Sequence, residues 1–314
     1  MNPETPYFVS LSHLGLLQLQ GPDTNKFLQG QTINDVNHCT PESWQHNAHC
    51  TPKGRMVANF DSVRVDDQTL LLRLPKDTQA ALQAALGKYI VFSKAKLTDA
   101  NDTYTLIGIY GPTAANWLQQ HLNITFANEQ TVAQNDHGLF LKLDEQRIEC
   151  WLPATQQHPA FSQIEVRNDV SPWQLLDIQQ GRGWVCASTV EEFLPQLLNL
   201  QAPAINAINF KKGCYTGQEI VARMHYKGKL KRHMYLLAAD GSHPATAGAD
   251  VYRKDKLRDD VAQSVGTVVN AVVQDERTWL LAVITADDVD CGKLSLSQES
   301  PVTLELLQQP YSVG

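Results

Sequence analysis

Lys211-Lys212-Gly213-Cys214-Tyr215-Thr216-Gly217-Gln218-Glu219, continuing Ile220-Val221-Ala222-Arg223, is the stretch on which the reading of this chain turns. Locally it is a glycine-hinged loop that delivers a cysteine to the start of a short helix. Thr216 and Glu219 stand at the spacing of a capping box, in which hydroxyl and carboxylate satisfy each other's backbone N–H groups. Cys214 then falls near the positive end of a helix dipole, with Lys211 and Lys212 beside it in sequence. Both features stabilise a thiolate. Gly213 and Gly217 allow backbone angles that a side chain forbids. The plain alternative is a capped turn around a buried cysteine. The density of lysine, glycine, thiol and capping pair in one short loop favours the functional reading.

Outward from this loop, basic charge is concentrated. Between Lys211 and Arg232 the only acid is Glu219, against Lys211, Lys212, Arg223, Lys227, Lys229, Lys231 and Arg232. Such a run is either a solvated face or a landing site for an anion such as a carboxylate tail, a phosphate backbone, or both. The whole chain, in contrast, has a formal charge of -7 across 314 residues, which excludes a protein that coats nucleic acid or an anionic membrane over its entire surface. With 43% hydrophobic and 19% charged residues it falls in the globular class, long enough for two or three domains.

The six cysteines, at 39, 50, 150, 186, 214 and 291, form no CxxC pair and no disulfide spacing, which implies a reducing compartment. His38, Cys39, His46, His49 and Cys50 cluster in sequence without matching a zinc pattern, so no metal site is expected. Met1-Asn2-Pro3-Glu4 lacks the layout of a signal peptide, and no apolar run reaches the roughly 20 residues that span a bilayer. A cytoplasmic location without membrane contact is expected.

The pattern of elements predicts an α+β fold. Phe8–Gln20 reads as a strand ending at Gly21-Pro22, followed by a short helix capped at Asp23 or Thr24 and stopping at Gly30. Strands are expected at Val57–Phe60, Ser62–Val65 and Thr69–Leu74, then a helix from Asp77 closed by Gly87. Tyr104–Ile109 is a strand, and Pro112 starts a helix bearing Trp117 and Leu118. Leu139–Leu143 pairs with Ile148–Leu152. Ser171-Pro172-Trp173 opens a helix that Gly181 ends, and Glu191–Leu198 is a helix broken at Pro195. From about Lys229, six short runs (His233–Ala238, Val251–Lys254, Ser264–Val273, Thr278–Thr285, Lys293–Ser297 and Pro301–Leu307) predict a small antiparallel barrel. No βαβ regularity argues for a doubly wound sheet.

The string KGCYTGQE followed by IVAR resembles the signature of the YgfZ family, folate-binding proteins related to the T-protein (aminomethyltransferase) of the glycine cleavage system. Gln29-Gly30-Gln31-Thr32 with Asp35, His49-Cys50 with Lys53-Gly54, and Tyr89-Ile90-Val91-Phe92-Ser93-Lys94 follow in the order the family shows, so the resemblance covers essentially the whole chain. It implies a three-lobed, T-protein-like architecture. Residues 1–43 with about 104–170 would form one α+β lobe, and about 44–103 with 171–228 a second that carries the KGCYTGQE loop. A C-terminal antiparallel β-barrel over 229–314 would complete a ring around a central channel.

The resemblance also implies a cofactor, tetrahydrofolate or a one-carbon derivative, and a set of site residues. Trp173 lies where the family has a folate-site tryptophan, able to cover a flat pterin or aminobenzoyl ring. Lys212 and Arg223 fall in the basic run that would meet the glutamate tail. Gln179 stands where the family usually has a glutamate that grips the pterin edge; an amide loses or reverses one of the two charge-assisted bonds. Leu14 falls where some relatives carry a second tryptophan, keeping an apolar wall without stacking. T-proteins place paired acids at the stretch matched by Lys53-Gly54-Arg55-Met56-Val57-Ala58-Asn59-Phe60. Asn59 cannot trade a proton near neutral pH, so aminomethyl transfer is not expected. Asp61, on a strand, would share a face with Asn59.

Cys214, which T-proteins lack at this point, becomes the candidate reactive thiol: a nucleophile toward a one-carbon unit, a ligand for a transient iron–sulfur species, or a redox group. The resemblance implies a folate-binding accessory role toward iron–sulfur enzymes, including radical-SAM tRNA methylthiotransferases, and thereby in tRNA modification such as methylthiolation. No RNA-binding module is recognisable, so direct tRNA contact stays open. Two other readings stand beside it: a folate-dependent one-carbon transferase of unknown substrate, and a non-catalytic scaffold whose folate pocket is vestigial.

Overall fold

A computed structural model describes residues 5–155, 159–228, 230–258, 261–289, 292–299 and 302–313. Met1 to Glu4, Lys229, Cys291 and Pro301, all used in the sequence reading, lie outside the described residues. Three sheets organise an α+β fold. The first runs Val166–Arg167, Tyr7–Ser10, Tyr104–Tyr110, Arg147–Pro153, Gly138–Lys142, Val132–Asn135, antiparallel except for its first pair. The second runs Gln45–Cys50, Met56–Asp66, Thr69–Pro75, Leu14–Gln20, Lys96–Asp99. A third, wholly antiparallel, runs Leu294–Ser295, Asp250–Arg258, Val261–Gln274, Arg277–Thr285, Arg232–Asp240, Glu305–Leu306, and curls into a half-barrel.

Two compact units emerge. One comprises residues 1–30, 35–47 and 60–173; the other comprises 31–34, 48–59 and 174–314. The second unit therefore takes two short early segments together with the whole C-terminal part of the chain. Its principal core joins Ile33, Cys50, Met56, Phe193, Tyr215 and Val221 to Met234, Val269 and Val283 of the curled sheet. The opposite face of that sheet buries Leu237, Val251, Leu280 and Leu304. Leu304 is buried between exposed Thr303 and Glu305, as the alternation of that segment requires.

Several expected boundaries change. Phe8–Gln20 is not one strand: Leu14 donates its N–H to Leu11 O at 2.9 Å, closing a turn that sends Tyr7–Ser10 and Leu14–Gln20 into different sheets. The strands expected on either side of Asp61 are one strand, Met56–Asp66. A charged residue reads as a break in a buried strand, but here Asp61 pairs directly across the ladder with Arg73 and stays inside it. The helix expected to close at Gly87 continues from Gln79 to Ile90, because nothing at Gly87 demands a turn. Around Glu191–Leu198 only short 3-10 turns form, at Ala187–Thr189 and Pro195–Leu198.

Candidate functional site

The signature loop lies in the second unit and is pinned from below. Asn209 anchors its entry, its Oδ1 accepting from the N–H groups of Lys211 (2.8 Å) and Lys212 (3.0 Å), while its own N–H donates to Ile33 O at 3.0 Å. Lys212 turns inward and is buried. Its Nζ donates to Thr32 O at 2.6 Å and Asn34 O at 2.7 Å, and lies 5.1 Å from the centre of the Tyr215 ring. An ammonium so placed gives two buried carbonyls a charged hydrogen-bond donor. Thr216 donates its hydroxyl to Gln31 Oε1 at 3.2 Å.

The capping box expected at Thr216 and Glu219 does not form. The helix is Gln218–Tyr226, and Gly217 holds the N-cap position with φ of 85° and no side-chain cap. Thr216 sits outside that position and is engaged with Gln31, while exposed Glu219 pairs with Arg223 at 2.5 Å. Gly217 is required on two counts: its positive φ, and a Cβ there would meet Thr51 O at 2.6 Å. Gly213, in contrast, has open space around it.

With its neighbours fixed, the loop presents Cys214 to solvent. Of the described cysteines, Cys39, Cys50 and Cys150 are buried, Cys186 is half-buried, and Cys214 alone is exposed. Burial pushes the Cys50 thiol up, and burial followed by the neighbouring Cys50 does the same to the Tyr215 hydroxyl. Both stay protonated beneath the loop. An exposed thiol on a rigid loop attacks soft electrophiles or ligates a soft metal, but one thiol does not hold an iron–sulfur cluster. Among the described residues no group of three or more His, Cys, Asp or Glu is placed to hold a metal ion.

The remaining expected site residues fall as follows. Asn59 is fully buried; its Nδ2 donates to Gly183 O and its Oδ1 accepts from Val185 N–H, both at 2.8 Å. Gln179, the last residue of the Ser171–Gln179 helix, is half-buried. Arg223 is exposed with Glu219 as its ion pair. In the first unit, Leu14 and Trp173 belong to one apolar cluster with Val9 and Leu11. Trp173 is 1% exposed. Its ring edge fills the space left by Gly108, where a Cβ would lie 2.6 Å from Cζ3, and the Arg147 guanidinium stands 5.5 Å from its centre. Tyr110 meets it edge-on at 6.2 Å.

Sequence reasoning missed a buried ionic chain in the first unit. His46 Nδ1 lies 2.6 Å from Asp61 Oδ1, and Arg73 Nη1 lies 3.2 Å from Asp61 Oδ2. Arg73 also grips Glu149 with two nitrogens, and Trp151 Nε1 donates to Glu149 Oε2 at 2.9 Å. Asp61, Arg73 and Glu149 are each at most 1% exposed. The signal was present: Arg73 inside the apolar strand TLLLRLP, and Arg147 with Glu149 in RIECWLP. Sequence reasoning also missed the ring stack of Phe210, His225 and Tyr226.

The fold is that of the glycine cleavage aminomethyltransferases. The structure is similar over 98% of this chain and 87% of the other to aminomethyltransferase T of Bartonella henselae, with a TM-score of 0.74 and 16% identity. Residues 7–147 match the family model described as GCVT N-terminal domain. Closer in sequence are proteins named tRNA-modifying protein YgfZ from Sodalis glossinidius (32% identity, 98% of this chain and 93% of theirs) and Cronobacter sakazakii (33%, 97% and 93%). An uncharacterized protein of Haemophilus influenzae is 31% identical over 98% of both chains. The chain belongs to the YgfZ family.

Proposed function

We propose that this chain supports tRNA modification as a cytoplasmic accessory protein that works through the Cys214 thiol, and that it is not an aminomethyltransferase. One observation carries the reading: in a family whose curated members are named as tRNA-modifying, the signature loop has Lys212, Thr216 and Gly217 held against the protein and Cys214 exposed. Asn59, engaged with Gly183 and Val185, offers no acid for aminomethyl transfer. Iron–sulfur enzymes, among them tRNA methylthiotransferases, are the proposed clients, with the thiol meeting a client's electrophile or metal.

The test is genetic. In a strain lacking the gene, the wild-type chain is expected to restore methylthiolated nucleosides under oxidative stress, measured by mass spectrometry of digested tRNA, and Cys214→Ser is not. Full rescue by the serine form removes the thiol from the proposal.

Tetrahydrofolate is the proposed cofactor, yet the residues expected to wall a pterin fit it poorly. Trp173 offers no open ring face and Leu14 packs with it, while Lys212 directs its ammonium to backbone carbonyls. No step is therefore derived through folate. These burials favour a second reading, a scaffold that presents Cys214 without folate. Titrating tetrahydrofolate against tryptophan fluorescence separates the two: saturable quenching supports the cofactor, and no change at millimolar ligand supports the scaffold.

A further inference from the structure

Four residues before Cys214, the chain places Phe210, and the far end of the following helix places His225 and Tyr226 against it. Phe210 and His225 stack nearly parallel, with centroids 3.7 Å apart at 13°. Tyr226 meets His225 edge-on at 4.7 Å and 75°, and Phe210 at 6.3 Å and 69°. Tyr226 is nevertheless 67% exposed, so its ring is braced on one side and open on the other. A single exposed ring is ordinary on a globular surface; what sets Tyr226 apart is that two further rings, Phe210 and His225, brace it.

The sequence around it is cationic. Lys211, Arg223, Lys227 and Lys231 are all exposed, and Glu219, the only acid from Lys211 to Arg232, is paired with Arg223. On a chain of net charge -7 this is a local reversal of sign. Exposed rings interleaved with lysines match an unpaired nucleobase with its flanking phosphates: the base stacks on the aromatic face and the ammonium groups meet the backbone. Protein partners fit less well, since lysine is depleted from the buried centre of protein interfaces.

We propose that Tyr226, braced by the Phe210–His225 stack, followed in sequence by exposed Lys227 and Lys231, and with exposed Lys211 next in sequence to Phe210, is a contact surface for single-stranded RNA. The inference rests on the tRNA-modification reading and deepens it, since it has the chain touch the RNA itself.

The experiment is fluorescence anisotropy of labelled tRNA with the full chain, at 50 mM and 200 mM salt. The wild type is expected to bind with a steep salt dependence. Tyr226→Ala weakens binding about tenfold, whereas Tyr226→Phe, which keeps the ring, binds as the wild type does. Lys227→Ala lowers the slope of log affinity against log salt by about 1. Because Tyr226 and Lys227 are exposed, matching thermal melts show that the variants are folded. Absence of tRNA binding by the wild type at 50 mM salt overturns the inference, as does equal binding by Tyr226→Ala. Tight binding of an acidic peptide with no tRNA bound reassigns the surface to a protein and overturns it too. A wild-type chain that rescues tRNA methylthiolation in cells but binds no tRNA in solution sinks this inference and leaves the accessory role standing.

Discussion

Lys212 and Thr32, 180 positions apart in sequence, meet through a 2.6 Å hydrogen bond from a buried ammonium to a backbone carbonyl. With the second bond to Asn34 O, this contact makes Lys212 a clamp between the signature loop and an early segment of the chain. Removing the donor takes a charged hydrogen-bond partner from both carbonyls. Lys212→Met is expected to cost about 1–3 kcal/mol, read as a fall in the urea midpoint of the full chain. An unchanged midpoint would show that the ammonium is not a structural tie.

Gly217 sets the angle at which the loop enters its helix. Gly217→Ala forces a side chain into a left-handed backbone position and against Thr51 O. A loss of about 1–3 kcal/mol is expected from the backbone alone. Gly213→Ala, where space is open, is expected to melt within a degree or two of the wild type. Equal melting temperatures for the two variants would refute the assignment.

Much of this was legible in the sequence, and the boundary is physical. The strands of the curled sheet could be read because short apolar runs follow one another at close spacing, parted by turn residues with no helix between them; alternation is no guide in Arg232–Asp240, where Met234 and Leu236 enter one core and Leu237 and Ala239 the other. The loop's composition singled out Cys214 but fitted a buried cysteine as well; its exposure comes from the contacts that hold Lys212 and Thr216. The inward turn of Lys212 and the bracing of Asn59 could not be read, because each answers carbonyl or amide groups far away in the chain, and backbone groups leave no mark in the residue code. Asp61 misled for the opposite reason. A charge normally ends a buried strand, but here Arg73 opposite it on the next strand, together with His46, keeps Asp61 inside.

That pairing is open to direct measurement. Arg73→Met strips the shared cation from Asp61 and Glu149 together and leaves two carboxylates in a sealed interior. A destabilisation of about 3–5 kcal/mol is expected in denaturant titration. A variant as stable as the wild type would show that the ionic chain contributes nothing to the fold.

The buried thiols give a pH dependence with a definite sign. Burial pushes Cys39 up to about 11 from an ordinary 9.0, with Arg64 opposing the shift. Cys50 and Cys150 move the same way. Above pH 9 the unfolded chain gives up these protons while the folded chain keeps them, so the folded state binds more protons. Their contribution is whole below pH 9 and is lost as pH rises from there through about 11. The melting temperature is expected to fall over that window, and a rise would contradict it. At pH 8, brief alkylation followed by peptide mass mapping should label Cys214 and spare Cys39, Cys50 and Cys150.

The two early segments of the second unit, 31–34 and 48–59, leave the ribosome long before the rest of it is made. At about 5–20 residues per second, Thr32 waits roughly 10–40 seconds for Lys212 to be synthesised. Through that interval Ile33, Cys50 and Met56 lack the apolar neighbours they acquire in the finished core. A nascent chain stalled before the signature loop would therefore display adhesive hydrocarbon, and its safe passage would depend on chaperones that shield it until the late residues arrive.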